Sequence, residues 1–249
     1  MTLVVTAAAP DVIVMGTDSA VALRLRDAPT ELVYRGLKKL FMWSPMGVGV
    51  SLFGTFPTHV GRETFSDWMQ LWYQRKLGDK PIDPDGLAKL LCADLDTTIP
   101  QDFDHPVGLH IAMWVTSERF PGTKIPVVWE INRTQGKYSY QGKLGVDVLE
   151  HIYRYRMGAK DSPYAAVFFA AGLPHLGKEE MASLRGLFSQ IVGAQVPFGS
   201  SLYLQEYVRL LITTVAHLYS ASGLPAYVSE PVETLYLPPE TIYGVSMRY

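Results

Sequence analysis

Apolar residues arrive first in short continuous runs. Leu3 to Ala8 and Val12 to Asp18 read as two strands joined by a turn at Ala9-Pro10-Asp11, which makes a β-hairpin. A second strand pair is predicted at Leu32 to Trp43 and Gly47 to Phe53, with Ser44-Pro45 as the punctuation between them. The period then changes: from Pro57 to Lys76 the residues Val60, Phe65, Trp68, Met69, Trp72 and Tyr73 recur at helical spacing. Asp85 to Asp96 adds a second amphipathic stretch behind the break Pro81-Ile82-Asp83-Pro84. Strand patterns return at Leu109 to Thr116 and Val127 to Asn132, while the apolar run Tyr164 to Ala171 fits either a buried strand or a short helix. Glu179 to Val192 and Ser201 to Tyr219 are predicted helices, and Ala226 to Leu237 and Ile242 to Val245 are predicted strands. No internal repeat, low-complexity tract or linker interrupts this order.

Strands, two helices, strands, two helices and strands suit two stacked sheets with helices on each side. The expected fold is therefore α+β, a four-layer αββα sandwich formed by residues 1–249 as a single domain. Composition agrees with a globular chain, with 48% hydrophobic and 18% charged residues.

A hydroxyl and an amine meet at the start of the chain. Removal of Met1 would expose Thr2 with a free α-amine beside its hydroxyl. A threonine hydroxyl needs an adjacent base, and an α-amine titrating near about 8 can serve. With the three-residue turn, Ala8 faces Val12 and Thr2 faces Asp18; with a two-residue turn, Thr17 would face Thr2 instead. Asp18 closes the apolar strand Val12-Ile13-Val14-Met15-Gly16, where an unpaired charge is expensive, so a cationic partner is expected. Lys38 and Lys39 are both available in Gly36-Leu37-Lys38-Lys39-Leu40-Phe41, and strand alternation turns one of them inward.

The order and intervals of these segments, with Gly47-Val48-Gly49-Val50-Ser51-Leu52-Phe53-Gly54 after them, resemble the first four strands of proteasome β subunits, here of the bacterial type. The resemblance covers about residues 2–54 and implies an N-terminal-nucleophile hydrolase with the proteasome-subunit-like sandwich. It makes Thr2 the nucleophile, Asp18 the acidic residue and Lys39, immediately before Leu-Phe, the catalytic lysine. Ser222, in Tyr219-Ser220-Ala221-Ser222-Gly223, matches the family's accessory serine, with Tyr219 standing where the family has aspartate. The oxyanion amide falls on Ser51 or Leu52. The implied activity is that of a threonine peptidase in a homo-oligomer, a ring or related assembly, acting on peptide or protein, with an unfolding ATPase as an implied partner. Two other readings share these residues: a catalytically inactive assembly subunit and a hydrolase of small amides.

Charge and composition narrow the rest. The net charge of -2 and the lack of a Lys/Arg-rich run leave no footprint for nucleic acid or an anionic membrane. No window reaches the length of a transmembrane helix and Met1 to Ala9 lacks a secretory pattern, so a cytoplasmic chain is expected. The one cysteine, Cys92, lies in an apolar helical pattern and reads as a buried thiol. The six histidines lack ligand spacing, so neither metal nor other cofactor is expected. The Trp68, Trp72, Tyr73 stripe suits core packing, with a subunit interface as the alternative.

Overall fold

The computed structural model describes residues 3–23, 32–34, 38–43, 47–54, 56–57, 59–78, 83–100, 107–120, 122–134, 136–171, 190, 195–198, 200–221 and 228–239. Within them lie two five-stranded antiparallel sheets and four helices. The apolar opening becomes β1 (Val4–Ala8) and β2 (Ile13–Thr17), every residue of which is buried. Strands this uniformly apolar need cover on both faces. Their sheet runs in the order β13 (Gln195–Pro197), β12 (Ala165–Ala171), β1, β2, β14 (Glu233–Leu237). The second sheet runs β11 (Lys137–Gly142), β10 (Lys124–Thr134), β9 (Val107–Thr116), β6 (Val48–Gly54), β5 (Leu40–Trp43).

Three apolar layers follow from the alternation of these strands. Between the sheets, Ala8, Ile13 and Met15 meet Leu40, Ala112 and Val128. On the outer face of the second sheet, α1 (Phe65–Lys76) and α2 (Pro84–Thr98) bury Met69, Trp72, Leu91 and Leu95 against Val50, Leu52 and Ile111. On the outer face of the first sheet, α4 (Leu202–Ala221) packs Leu204, Val208, Ile212 and Val215 against Val5, Val12 and Val14. Its approach is close: a Cβ on Gly16 would lie 2.5 Å from Val208 Cγ1. A larger residue there would force the Val208 and Ile212 side chains to shift.

The predicted four-layer αββα sandwich is corrected by the helices. Only one outer face carries a described helix pair. The remaining helix, α3 (Val146–Arg156), packs on β10 and sets Val148 against the cluster between the sheets. Ile152 is its buried residue, so α3 has no broad apolar face with which to cover a sheet. The predicted helix Glu179 to Val192 lies outside the described residues except for Gln190, and the predicted strand Ile242 to Val245 lies outside them entirely.

Local chemistry accounts for the other differences. The predicted strand Leu32 to Trp43 is divided into β4 (Leu32–Tyr34), which pairs with β3 (Val21–Leu23), and β5. The helix expected from Pro57 starts at Phe65, because β7 (His59–Val60) and β8 (Glu63–Thr64) first turn back on each other at Gly61, whose φ is 61°. Thr64 then caps α1 by accepting the Asp67 N–H, as Asp83 caps α2 by accepting that of Gly86. Tyr164 to Ala171 resolves as strand β12 and its neighbours. Trp72 and Tyr73 are buried, their rings against Trp43, so the aromatic stripe belongs to the core. Cys92 is buried as well, and burial pushes its thiol up to about 11.

Candidate functional site

The hairpin that should deliver the site has a shorter turn than expected. The Ala9 N–H donates to the Val12 carbonyl at 2.9 Å, so Pro10-Asp11 alone make the turn. Ala8 therefore pairs with Ile13 and Val4 with Thr17. The predicted register, with Ala8 opposite Val12, is displaced by one residue, and the two-residue alternative that set Thr17 opposite Thr2 is corrected as well, because a turn at Pro10-Asp11 puts Thr17 opposite Val4. Beyond the paired strands Asp18 donates its N–H to the Leu3 carbonyl, so Asp18 sits across from Leu3 and not from Thr2. Thr2 itself lies outside the described residues, as does Ser222.

Asp18 is held almost wholly by main chain. Its Oδ1 accepts the Leu3 N–H at 2.9 Å, and its Oδ2 accepts those of Ala20 at 2.9 Å and Ser229 at 3.4 Å. Ser19 N–H in turn donates to the Ser229 carbonyl, which ties the segment before β14 to the end of β2. Lys39 is the inward lysine: its Nζ lies 3.4 Å from Asp18 Oδ1 and donates to the Ala20 carbonyl. Lys38 is exposed and donates to Gln70. Both side chains of the Asp18–Lys39 pair have no solvent exposure.

Burial is the larger influence on both groups. It raises the Asp18 carboxyl above its ordinary value, against the opposing pull of the Lys39 charge and the three N–H donors. It lowers Lys39 to about 8, against the attraction of Asp18. A lysine with that value exchanges its proton close to neutral pH.

The remaining expected residues fall into two groups. Ser51 is buried on β6, between Leu40 of β5 and His110 of β9. Leu52, next to it, donates its N–H to the Lys39 carbonyl at 2.9 Å, which commits that amide to positioning the lysine. Tyr219, near the end of α4, is buried in the apolar cluster with Val208 and Val215. The main-chain donors of Leu3, Ala20 and Ser229 were not foreseen; only the expense of burying Asp18 signalled that such partners must exist.

Neither a family profile nor a curated protein matches the sequence. Solved structures do match. Anbu (ancestral beta-subunit) from Yersinia bercovieri superimposes with a TM-score of 0.50 at 14% identity, over 97% of this chain and 84% of that one. A Gly-1 mutant of Anbu from Hyphomicrobium sp. strain MC1 gives 0.55 at 13% identity, with the same coverage. The fold is that of the Anbu proteins. This corrects the resemblance read from residues 2–54: the neighbours in fold are Anbu, an ancestral beta-subunit, and not a particular N-terminal-nucleophile hydrolase. The likeness is one of fold, and by itself it carries no activity.

Other chemistry has little to build on among the described residues. No group of three or more His, Cys, Asp or Glu side chains is arranged to hold a metal ion. An open cleft beside α3, lined by Asp147, Glu150, His151, Arg154, Asp161 and Ser162, is crossed by the Arg154–Asp161 ion pair. No described helix is long and apolar enough to cross a membrane.

Proposed function

We propose that the chain is a threonine-type peptidase or amide hydrolase whose nucleophile is Thr2, freed by removal of Met1. The observation that carries this reading is the enclosed Asp18–Lys39 pair, anchored to the N–H of Leu3, the residue bonded to Thr2. A buried lysine lowered to about 8, its partner Asp18 anchored one residue along the chain from a threonine that would have its own amine, is suited to proton exchange at neutral pH. Thr2 Oγ attacks the amide carbonyl as its proton passes to the α-amine, directly or through a water. The tetrahedral intermediate collapses, the proton goes to the departing amine, and an ester remains on Thr2. Water then attacks that ester with the α-amine again as base. Lys39 stabilises the negative charge that develops, and Asp18 orients Lys39. The substrate is a peptide or protein reaching sites enclosed in a cytoplasmic homo-oligomer, with an unfolding ATPase as a partner.

The test is the intact mass of the purified chain before and after treatment with a threonine-directed epoxyketone or β-lactone. One adduct on a chain lacking Met1, lost in Thr2→Ala and Lys39→Ala, is the expected result. Retained Met1 with no adduct would overturn it. Tyr219 favours a second reading: buried among apolar side chains, it offers no carboxylate to an accessory network, as suits an assembly subunit without catalysis. An unlabelled chain that still assembles with copies of itself would favour that reading.

A further inference from the structure

Between the two sheets, away from the ends of β2 and β5, a histidine is enclosed by groups from three other strands. His110 of β9 is paired directly with Glu130 of β10, so their side chains share a face. From the opposite sheet Thr6 of β1 holds its Oγ1 2.9 Å from His110 Nδ1. Ser51 of β6 is the cross-strand partner on the other flank, and the Phe53 ring meets the imidazole edge-on, with centroids 5.5 Å apart. His110 Nε2 lies 3.7 Å from Glu130 Oε2, too far for a hydrogen bond but within ion-pair range. The same oxygen is 2.7 Å from Lys143 Nζ, while Glu130 Oε1 accepts from Asn132 Nδ2. Among the described residues, Glu130 and Lys143 are the charged groups whose fields act on the ring.

One carboxylate thus stands between a surface cation and a ring that can become one. Burial favours the neutral imidazole, and with the ring neutral the carboxylate is held by Lys143. With Glu130 beyond Nε2, the single proton belongs on Nε2 and the Thr6 hydroxyl donates to Nδ1. A second proton makes both nitrogens donors, and Thr6 meets that change without moving, since a hydroxyl turns from donor to acceptor. Glu130 meets it by an approach of about 1 Å, because a charged N–H···O contact settles at about 2.7–2.9 Å. Glu130 is lowered to about 2, so it is an anion across the whole range in which a histidine titrates. Lys143 lies in the strap between β11 and α3: its N–H donates to the Val128 carbonyl at 2.9 Å, and Leu144 packs into the cluster between the sheets. Because α3 itself buries little besides Ile152, its seat on β10 leans on that strap.

We propose that a proton on His110 draws the Glu130 carboxylate from Lys143 to the ring and thereby loosens the strap that leads into α3. The cluster is an acid-operated latch, closed on the surface lysine when the ring is neutral and on the buried ring when it is charged. Burial opposes the proton, so the latch changes over below the ordinary histidine value of 6.5. It does not depend on the proposed hydrolase activity.

Nitrogen-edited NMR of the histidine rings in the full chain should show His110 passing from neutral to doubly protonated below pH 6.5 while the chain stays folded. Crystals grown on either side of that midpoint should show Nε2 and Oε2 closing to about 2.8 Å and Lys143 Nζ released. Lys143→Met removes the competing cation and should bind the ring proton about threefold more tightly. Glu130→Gln keeps the shape but not the charge and should weaken proton binding about tenfold or more. Hydrogen exchange of amides 143–149, corrected for the intrinsic rate, should quicken as the native ring protonates and be fast at every pH in Glu130→Gln. An unchanged midpoint in Lys143→Met, a protonated ring with Glu130 still on Lys143, or unfolding before the ring takes its proton would overturn the proposal.

Discussion

Among the described residues, two ionisable clusters lie in the interior and are built on opposite plans. At the strand ends Asp18 and Lys39 both sit at zero exposure, and main-chain groups from three segments complete their hydrogen bonding. Between the sheets His110 is enclosed while Glu130, lowered to about 2 chiefly by His110 and then by Lys143, stays partly in solvent. The second plan keeps its charges at the rim and only a neutral ring inside. The first takes two charges out of water, which seldom adds net stability even when they attract each other. Such a pair is better explained by where it holds the two groups than by what it contributes to folding. Hydrogen bonding to backbone makes that position insensitive to most side-chain changes nearby.

The comparison can be broken most decisively at Asp18. Asp18→Ala leaves the Lys39 ammonium facing a lone carbonyl, and urea denaturation should show a loss of about 3–5 kcal/mol. A loss below about 1 kcal/mol would mean that Lys39 is neutral in the folded chain and the two clusters are alike. If the proposed activity holds, Lys39→Met should lower amide hydrolysis on the order of a hundredfold or more while preserving bulk. Next in size is His110→Leu, which strands Thr6 and Ser51 inside, for about 1–3 kcal/mol by the same denaturation.

Titration separates the clusters by pH window, with the same sign in each. Lys39 falls from 10.5 to about 8 on folding, so between those values the unfolded chain binds more protons. Stability should therefore rise with pH across that window, and the rise should vanish in Lys39→Met. His110 is also lowered, from 6.5. Its contribution is present above that value and is lost as pH falls below it, a loss that His110→Leu should abolish. The smallest effect belongs to Arg75, which pairs with Glu63 on the surface, where Arg75→Ala should leave the melting temperature unchanged within error.

What could be read in the sequence was whatever left a periodic or an energetic mark. Helices α1, α2 and α4 announced themselves because Met69, Leu91 and Val208 belong to continuous apolar stripes. A buried cationic partner for Asp18 was legible because an acid closing an apolar strand demands one, while the choice of Lys39 over Lys38 came from the resemblance. In contrast, β11 is an edge strand with Lys137, Ser139 and Gln141 exposed, and α3 buries little, so neither imposes a pattern. The hairpin register escaped because two-residue and three-residue turns both accommodate Ala9-Pro10-Asp11, and the Ala9–Val12 hydrogen bond that decides it leaves no trace in composition. His110 was grouped with scattered histidines, since its partners Thr6 and Glu130 come from other strands far along the chain.

The Pro10-Asp11 turn makes the hairpin a measuring device. Where Asp18 stands against the start of the chain is set by counting residues from that turn, not by which apolar side chains fill β1 and β2. Such an arrangement forgives substitution and punishes insertion.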